Sequence, residues 1–312
     1  CFVLAGLGLA MATSSSALYA IAALAGLGNA VFHPADFTVL NRHVSQPRLG
    51  HAFSVHGLSG NLGWAVAPLF LTGLATLAGW RIAAAATIFV AIPAMLLLWR
   101  HRALLDTGHH AHAAKQPGHG ALDFMRVGAV WLCFAFFFLI TAAFGAIQNF
   151  ATPILQNLYQ LPLGLAATAL STYLLAGAGG ILVGGFVAQK QANDRIIAVV
   201  LGIAALLAVL LAASVLPGWA VLPLMAGIGF FSGIAGPSRD LLVRRAATAR
   251  FGQAAYGRIY GFVYSGLDAG LAVAPLVFGG YMDRGQYAAV LVGIALLQAG
   301  AILTALRVGR AA

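Results

Sequence analysis

Residues 264–276 read YSGLDAGLAVAPL, and residues 57–69 read GLSGNLGWAVAPL. Superimposed so that position 63 meets position 270, Gly63, Ala65, Val66, Ala67, Pro68 and Leu69 pair with Gly270, Ala272, Val273, Ala274, Pro275 and Leu276. One apolar run earlier in each case, AGLG at 25–28 is echoed by AGIG at 226–229. A proline and an aspartate then follow each echo, Pro34 with Asp36 and Pro237 with Asp240. Two echoes in the same order, with glycine and proline in register, indicate an internal duplication of several elements. Within the repeat the scaffold positions agree, but Asp268 stands where the first copy has Asn61.

The 312 residues are 61% hydrophobic and 8% charged, with a mean hydropathy of +0.92. A soluble domain carries about 25% charged residues, so this chain cannot cover its own surface in water. Apolar runs of about 18 residues or more, separated by short polar loops, read as membrane-crossing helices. Uncharged runs of that length exclude a barrel, whose strands alternate over about 10 residues. Full spans are expected at 17–41, 51–75, 80–99, 127–150, 164–189, 196–216, 219–242, 257–281 and 287–307, after an apolar stub at 1–13. The stub is too short to span and begins without Met, so a truncated start is expected. Cys1 and Cys133 give no disulfide framework.

The formal net charge is +10, and its placement gives topology. With alternate loops assigned to alternate sides, Arg81 and Arg284 fall on one side and the other fifteen Lys and Arg on the other. Basic residues resist translocation, which puts the C-terminus in the cytoplasm and the chain in a bacterial-type cytoplasmic (inner) membrane as a multi-pass protein. The basic balance therefore reports orientation, and no nucleic-acid partner is expected. Residues 100–126 form a polar cytoplasmic loop between an N-terminal half, 1–99, and a C-terminal half, 127–312. His101, His109, His110, His112 and His119 lie in that loop without cysteines or dense carboxylates, which reads as a solvated linker, with metal sensing the alternative. No metal site and no cofactor are expected.

Parallel six-helix repeats around a midplane site describe one transporter architecture. From within that architecture's third helix to its twelfth, the chain resembles the major facilitator superfamily. GLGNAVFHPADF (26–37) followed by RLGHAFSVHGLSGNLGWAVAPLF (48–70) is similar to the fourth and fifth helices of the fosmidomycin-resistance-like efflux branch. That branch carries a similar Phe-His-Pro, then Gly-Asn-x-Gly and Pro-Leu. The resemblance implies an all-α polytopic membrane protein of two pseudo-symmetric six-helix halves, with the first two helices and part of the third missing. It implies a secondary transporter, not an enzyme, that moves a small organic compound by alternating access in the lipid bilayer, as a monomer. Proton-coupled efflux is the expected mode; proton-coupled uptake of a small metabolite or organic anion is the alternative. Three departures bear on that choice. Ala22 aligns with the arginine of many proton antiporters, Gln189 replaces the loop-motif aspartate in GFVAQKQANDR (185–195), and Ala67-Pro68 and Ala274-Pro275 stand where an antiporter motif has Gly-Pro.

A charge within a span costs about 2.5–3.5 kcal/mol on insertion scales and tends to face a cavity or a partner. Two acids qualify, Asp36 and Asp268. Asp36 lies close in sequence to Arg42 and is expected to make a gating or capping contact at a cytoplasmic helix end, with proton coupling the alternative. Arg239 and Asp240 hold the corresponding place in the second half. Asp268 is deeper, and Tyr260 and Tyr264 precede it at intervals of four, so the three share a helix face. The matching stripe is Phe53, Gly57 and Asn61. Removing a carboxyl group from water favours its protonated form, the property a proton carrier needs; a structural hydrogen bond is the competing reading. Gln148, Asn149 and Tyr173 are expected along the pathway, the amides presented by unwinding beside Gly145 or else bonded between helices. His56 and His33 either titrate near neutral pH or pack by hydrogen bonding. Trp64 lines a pocket or packs, and Pro68 and Pro275 kink symmetry-related helices. GLSG (57–60), with His56 adjoining, resembles the Gly-x-Ser-Gly of rhomboid-type proteases, a distant alternative because such a site needs its histidine on another helix.

Overall fold

A bilayer offers backbone N–H and C=O groups no water, so a crossing segment satisfies them internally as helix. The computed structural model describes residues 1–106, 123–188, 194–251 and 256–311; within these, the side chains of residues 65, 68, 69, 72, 123, 239–251, 256, 257 and 309–311 lie outside the description. The described residues form helices and connecting turns, with no strand among them. The first group is α1 (Phe2–Met11), α2 (Ser15–Ala30), α3 (Phe32–His43), α4 (Leu49–Ala78), α5 (Trp80–Ala86), α6 (Ile88–Arg100) and a single turn, α7 (Arg102–Leu105). The second is α8 (Gly128–Leu158), α9 (Leu163–Ala188), α10 (Asp194–Ala213), α11 (Val221–Phe251), α12 (Tyr256–Asp283) and α13 (Tyr287–Ala311). Eight described stretches are long and apolar enough to cross a membrane, α2 with α3 and α5 with α6 each counting as one. The 30-residue α4 supplies the remaining expected span.

Local chemistry sets the breaks. Ser14 caps α2 by accepting a hydrogen bond from the Ala17 amide at 3.2 Å. α2 gives way to α3 at Val31, where Pro34 lacks the N–H that would continue the ladder to Ala30. Gly79 ends α4 at φ 87°, and Gly285 follows α12 at φ 68°. Both lie in the left-handed region that glycine enters without a Cβ penalty. Each helix is thus followed by a glycine turn, although at the offset of the repeat Gly79 meets Gln286 and not Gly285.

In lipid there is no water to drive helices together, and small residues let their backbones approach. The seam between α9 and α11 is built this way. A Cβ on Gly180 would run into the Phe230 carbonyl, one on Gly184 into the Ile234 carbonyl, one on Gly229 into the Tyr173 carbonyl and one on Gly233 into the Gly177 carbonyl. α12 meets α8 similarly, with Gly266 against Phe134 and Gly270 against Thr141 and the Phe138 carbonyl. Gly63, the repeat mate of Gly270, has nothing within 4 Å of its Cβ position. One buried cluster lies wholly in the second group, around Ile154, Leu155, Leu211, Val221 and Ile294. Another joins the groups, with Phe37, Leu49 and Phe53 packed among Phe137, Ile234, Tyr260 and Tyr264.

The two isolated arginines are anchored at helix ends. Arg81 donates to the Ala12 carbonyl at 3.0 Å and lies 4.2 Å over the Trp80 ring. Arg284 lies 5.2 Å over the Tyr281 ring.

Two neighbouring glycines separate packing from helix propensity. Overpacking costs about 1–3 kcal/mol, so Gly180→Ala should lower the thermal unfolding midpoint in detergent. Gly179, with nothing within 4 Å, should accept Ala with no loss, since Ala is favoured over Gly in a helix by roughly 0.5–1 kcal/mol.

Candidate functional site

Between the two groups lies a cavity of about 610 Å³. Its walls come from α2, α3 and α4 on one side and α8, α9, α11, α12 and α13 on the other. The rings of Phe32, Phe37, Trp64, Phe144, Tyr173 and Tyr264 face it, and Trp64 meets Phe144 edge-on at 6.2 Å.

At one end the cavity is sealed by side chains from both groups. Phe37 of α3 stacks on Tyr260 at 5.1 Å and lies 4.7 Å from Tyr264, whose ring is 4.5 Å from Phe137. Asn41 donates from Nδ2 to the Phe37 carbonyl at 2.7 Å and to the Tyr260 hydroxyl at 3.3 Å. Nearby, Ser54 of α4 donates to the Ile181 carbonyl at 3.0 Å and presses on Gly185 of α9, which has no side chain to obstruct it. Both contacts lie towards the helix ends that carry Arg42, Arg48 and Arg258, the side of the basic loops.

Above this seal sit the titratable groups. Asp36 accepts the Phe37 amide at 2.6 Å, while its other oxygen lies 3.2 Å from His56 Nε2 and 3.8 Å from His33 Nδ1. The ligand atoms of all three fall within 4.8 Å of one another, an N,N,O set of the kind that divalent transition metals accept. His33 also packs against Tyr264 at 4.6 Å. An imidazolium beside this carboxylate would make an ion pair, and through His56 that contact joins α3 to α4. Asp268 lines the same cavity from the opposite group, is exposed to it, and makes no hydrogen bond or ion pair with the described residues.

Asn61, His56, Trp64, Tyr173, Tyr264 and Asp268 therefore all line the cavity. Asn61 does so while donating to the Gly57 carbonyl of its own helix at 2.8 Å. Four expectations change. Asp36 is not at a helix-end contact: the break at Val31 brings it to the cavity wall beside His56. Tyr260 is fully buried and belongs to the seal. Gln148 and Asn149 are not in the wall, because α8 runs unbroken through them. Gly145 is packed on Leu271 and Ala274, and Asn149 bonds back to the Gly145 carbonyl at 2.7 Å. The structural hydrogen bond weighed for Asp268 is absent among the described residues. Pro275 lies inside α12 without ending it. The side chains of Pro68, Arg239 and Asp240, and four of the five loop histidines, lie outside the described residues; Arg42 is exposed on the last turn of α3. Ser59 bonds to the carbonyl of His56, whose ring points instead to Asp36.

Sequence reasoning passed over Gln298, the one amide in α13, which is 3% exposed and lines the cavity. Its signal was a lone polar residue in an apolar helix. Phe144 gave no signal among so many phenylalanines.

The model of the Major Facilitator Superfamily matches residues 1–275. The chain belongs to the Major Facilitator Superfamily. It is a multi-pass membrane transporter of that family. The chain is 28% identical over 287 residues to the fosmidomycin resistance protein of Escherichia coli (strain K12), covering 89% of this chain and 68% of that protein. The fold is similar to a crystal structure of the family transporter FucP in the outward conformation, with a TM-score of 0.72 at 16% identity over 98% of this chain and 80% of that one. It is also similar to a second structure, of the E. coli fucose:proton symporter FucP, with a TM-score of 0.71 at 14% identity over 98% and 82%.

The seal can be checked by thiol labelling in a Cys1→Ser, Cys133→Ser background. Ser54→Cys, at a position 3% exposed, should react with a water-soluble maleimide at least about tenfold more slowly than Arg42→Cys, a ratio worth about 1.4 kcal/mol. Adding Gly185→Leu should wedge the seal and raise the rate at position 54.

Proposed function

We propose that this transporter exports a small organic compound across a bacterial-type cytoplasmic membrane by alternating access, driven by inward proton movement. The observation that carries the proposal is a sizeable cavity between the two helix groups, closed at the basic-loop end, with acids and imidazoles in its walls. On this reading the cavity faces away from the cytoplasm in the state described. Protons reach Asp268 and the His33–Asp36–His56 cluster from that side. Occluding the cavity strips water from these groups, and a charge in a span costs about 2.5–3.5 kcal/mol. Protonation removes that cost at a carboxylate, so a loaded cavity can close and the ring seal at the other end can part. Positive residues retained on the side of the seal support a cytoplasmic C-terminus.

The E. coli relative named for fosmidomycin resistance supports export. Uptake is the second reading, favoured by Ala22 where many antiporters have arginine and by the structural neighbour named as a fucose:proton symporter.

Flux in reconstituted vesicles under an imposed pH gradient tests the mechanism. Asp268→Asn should abolish proton-coupled flux while the protein remains folded in the membrane; unaltered flux would remove Asp268 from the mechanism. An ordinary imidazole titrates near pH 6.5. Flux should therefore change across about pH 6–7 in the parent, and that change should vanish in His56→Gln.

A further inference from the structure

The cavity has a marked charge bias. The chain carries 17 Lys and Arg, yet none is in the described cavity wall, whereas two aspartates are. The two acids differ in what surrounds them. Asp36 already has His33, His56 and a backbone amide about it. Asp268 has no such partner among the described residues and opens onto the cavity. A carboxylate kept at depth in a span calls for a positive counterpart.

Two further features favour a hydrogen-bond donor. Gln298 is 3% exposed, its amide nitrogen 3.4 Å from the Ser232 hydroxyl, and its Oε1 accepts no hydrogen bond. A buried acceptor left without a donor has lost its water and gained nothing in return, a deficit that a ligand N–H would make good. Pro237 and Pro275, lacking N–H groups, leave the carbonyls of Gly233 and Leu271 without their helical donors. Both of those residues line the cavity. Aromatic faces make up much of the remaining wall, and such faces attract cations as well as flat apolar groups.

We infer that the ligand of this cavity is an organic ammonium ion, a protonated primary or secondary amine on an aromatic body, held at Asp268 with its N–H groups towards Gln298. The inference rests on the transporter reading above and adds the substrate class to it. Anionic compounds meet carboxylates and acceptors here without a lysine or arginine among the described wall residues. The other titratable side chains in the wall are His33, Asp36, His56, Tyr173 and Tyr264.

Three probes of one size separate charge from hydrogen bonding at pH 7.5, where an ordinary imidazole is mostly neutral. They are phenethylammonium, phenethyltrimethylammonium and 3-phenylpropionate, titrated against the detergent-purified protein by thermal shift and by quenching of tryptophan fluorescence. Phenethylammonium should bind at least about tenfold tighter than 3-phenylpropionate, a difference of about 1.4 kcal/mol. Asp268→Asn should erase that preference and Asp268→Glu should keep most of it, which separates lost charge from lost fold. Gln298→Leu should narrow the gap between phenethylammonium and its trimethyl analogue. Tighter binding of 3-phenylpropionate, or an unchanged preference in Asp268→Asn, overturns the inference. Counterflow of the same probes in proteoliposomes tells the failures apart. If the anion is carried, the substrate class falls and the transporter reading stands; if no probe binds and no proton-coupled flux is measured, both fall.

Discussion

Helices in a bilayer have no water to escape from one another, so they hold together only where their backbones come close enough for dense contact. The α9–α11 seam meets that demand with glycines on both helices, each standing opposite a carbonyl of the other. Much else hangs on it. α11 presents Gly233 and Gly236 to the cavity, and α9 presents Tyr173 and Gly177, from opposite flanks of the same seam. The Ser54–Ile181 hydrogen bond reaches across to α9 from the other helix group. A seam widened by one methyl would shift that wall and the seal together.

Duplication built the frame, and divergence built the site. α4 and α12 share a glycine–proline pattern, yet they present different chemistry to the cavity. α4 offers His56, Asn61 and Trp64; α12 offers Tyr264 and Asp268. The first group gathers imidazoles around its acid, whereas the second leaves its acid open. A symmetric cavity would have two equal places for a proton or a ligand. This one has a clustered acid, Asp36, and an open one, Asp268, in walls contributed by the two groups.

The spans, the repeat and the tyrosine–aspartate stripe were legible because they depend on spacing along one helix. Asp36 with His56 was not, since that contact joins α3 to α4 and depends on the break at Val31. Gln148 and Asn149 were misjudged for a related reason: polarity at depth was visible, but the packing of Gly145 on α12, which leaves α8 unbroken, was not. Tyr260 shares a helix face with Tyr264 and still falls behind it, because Phe37 of the other group closes over both. Periodicity identifies the face of a helix, and only the neighbouring helices decide which part of that face stays open.

The seal between the groups is made of rings, two hydrogen-bonding side chains and a bare glycine, with no ion pair described in it. Among the described residues, a plug of that kind offers water and protons few polar groups to follow. If the cavity takes up protons as proposed, such a plug would keep them from crossing while the carrier is idle, and the membrane potential would be conserved. On that reading the phenylalanine and tyrosine cluster would serve as electrical insulation as well as a gate.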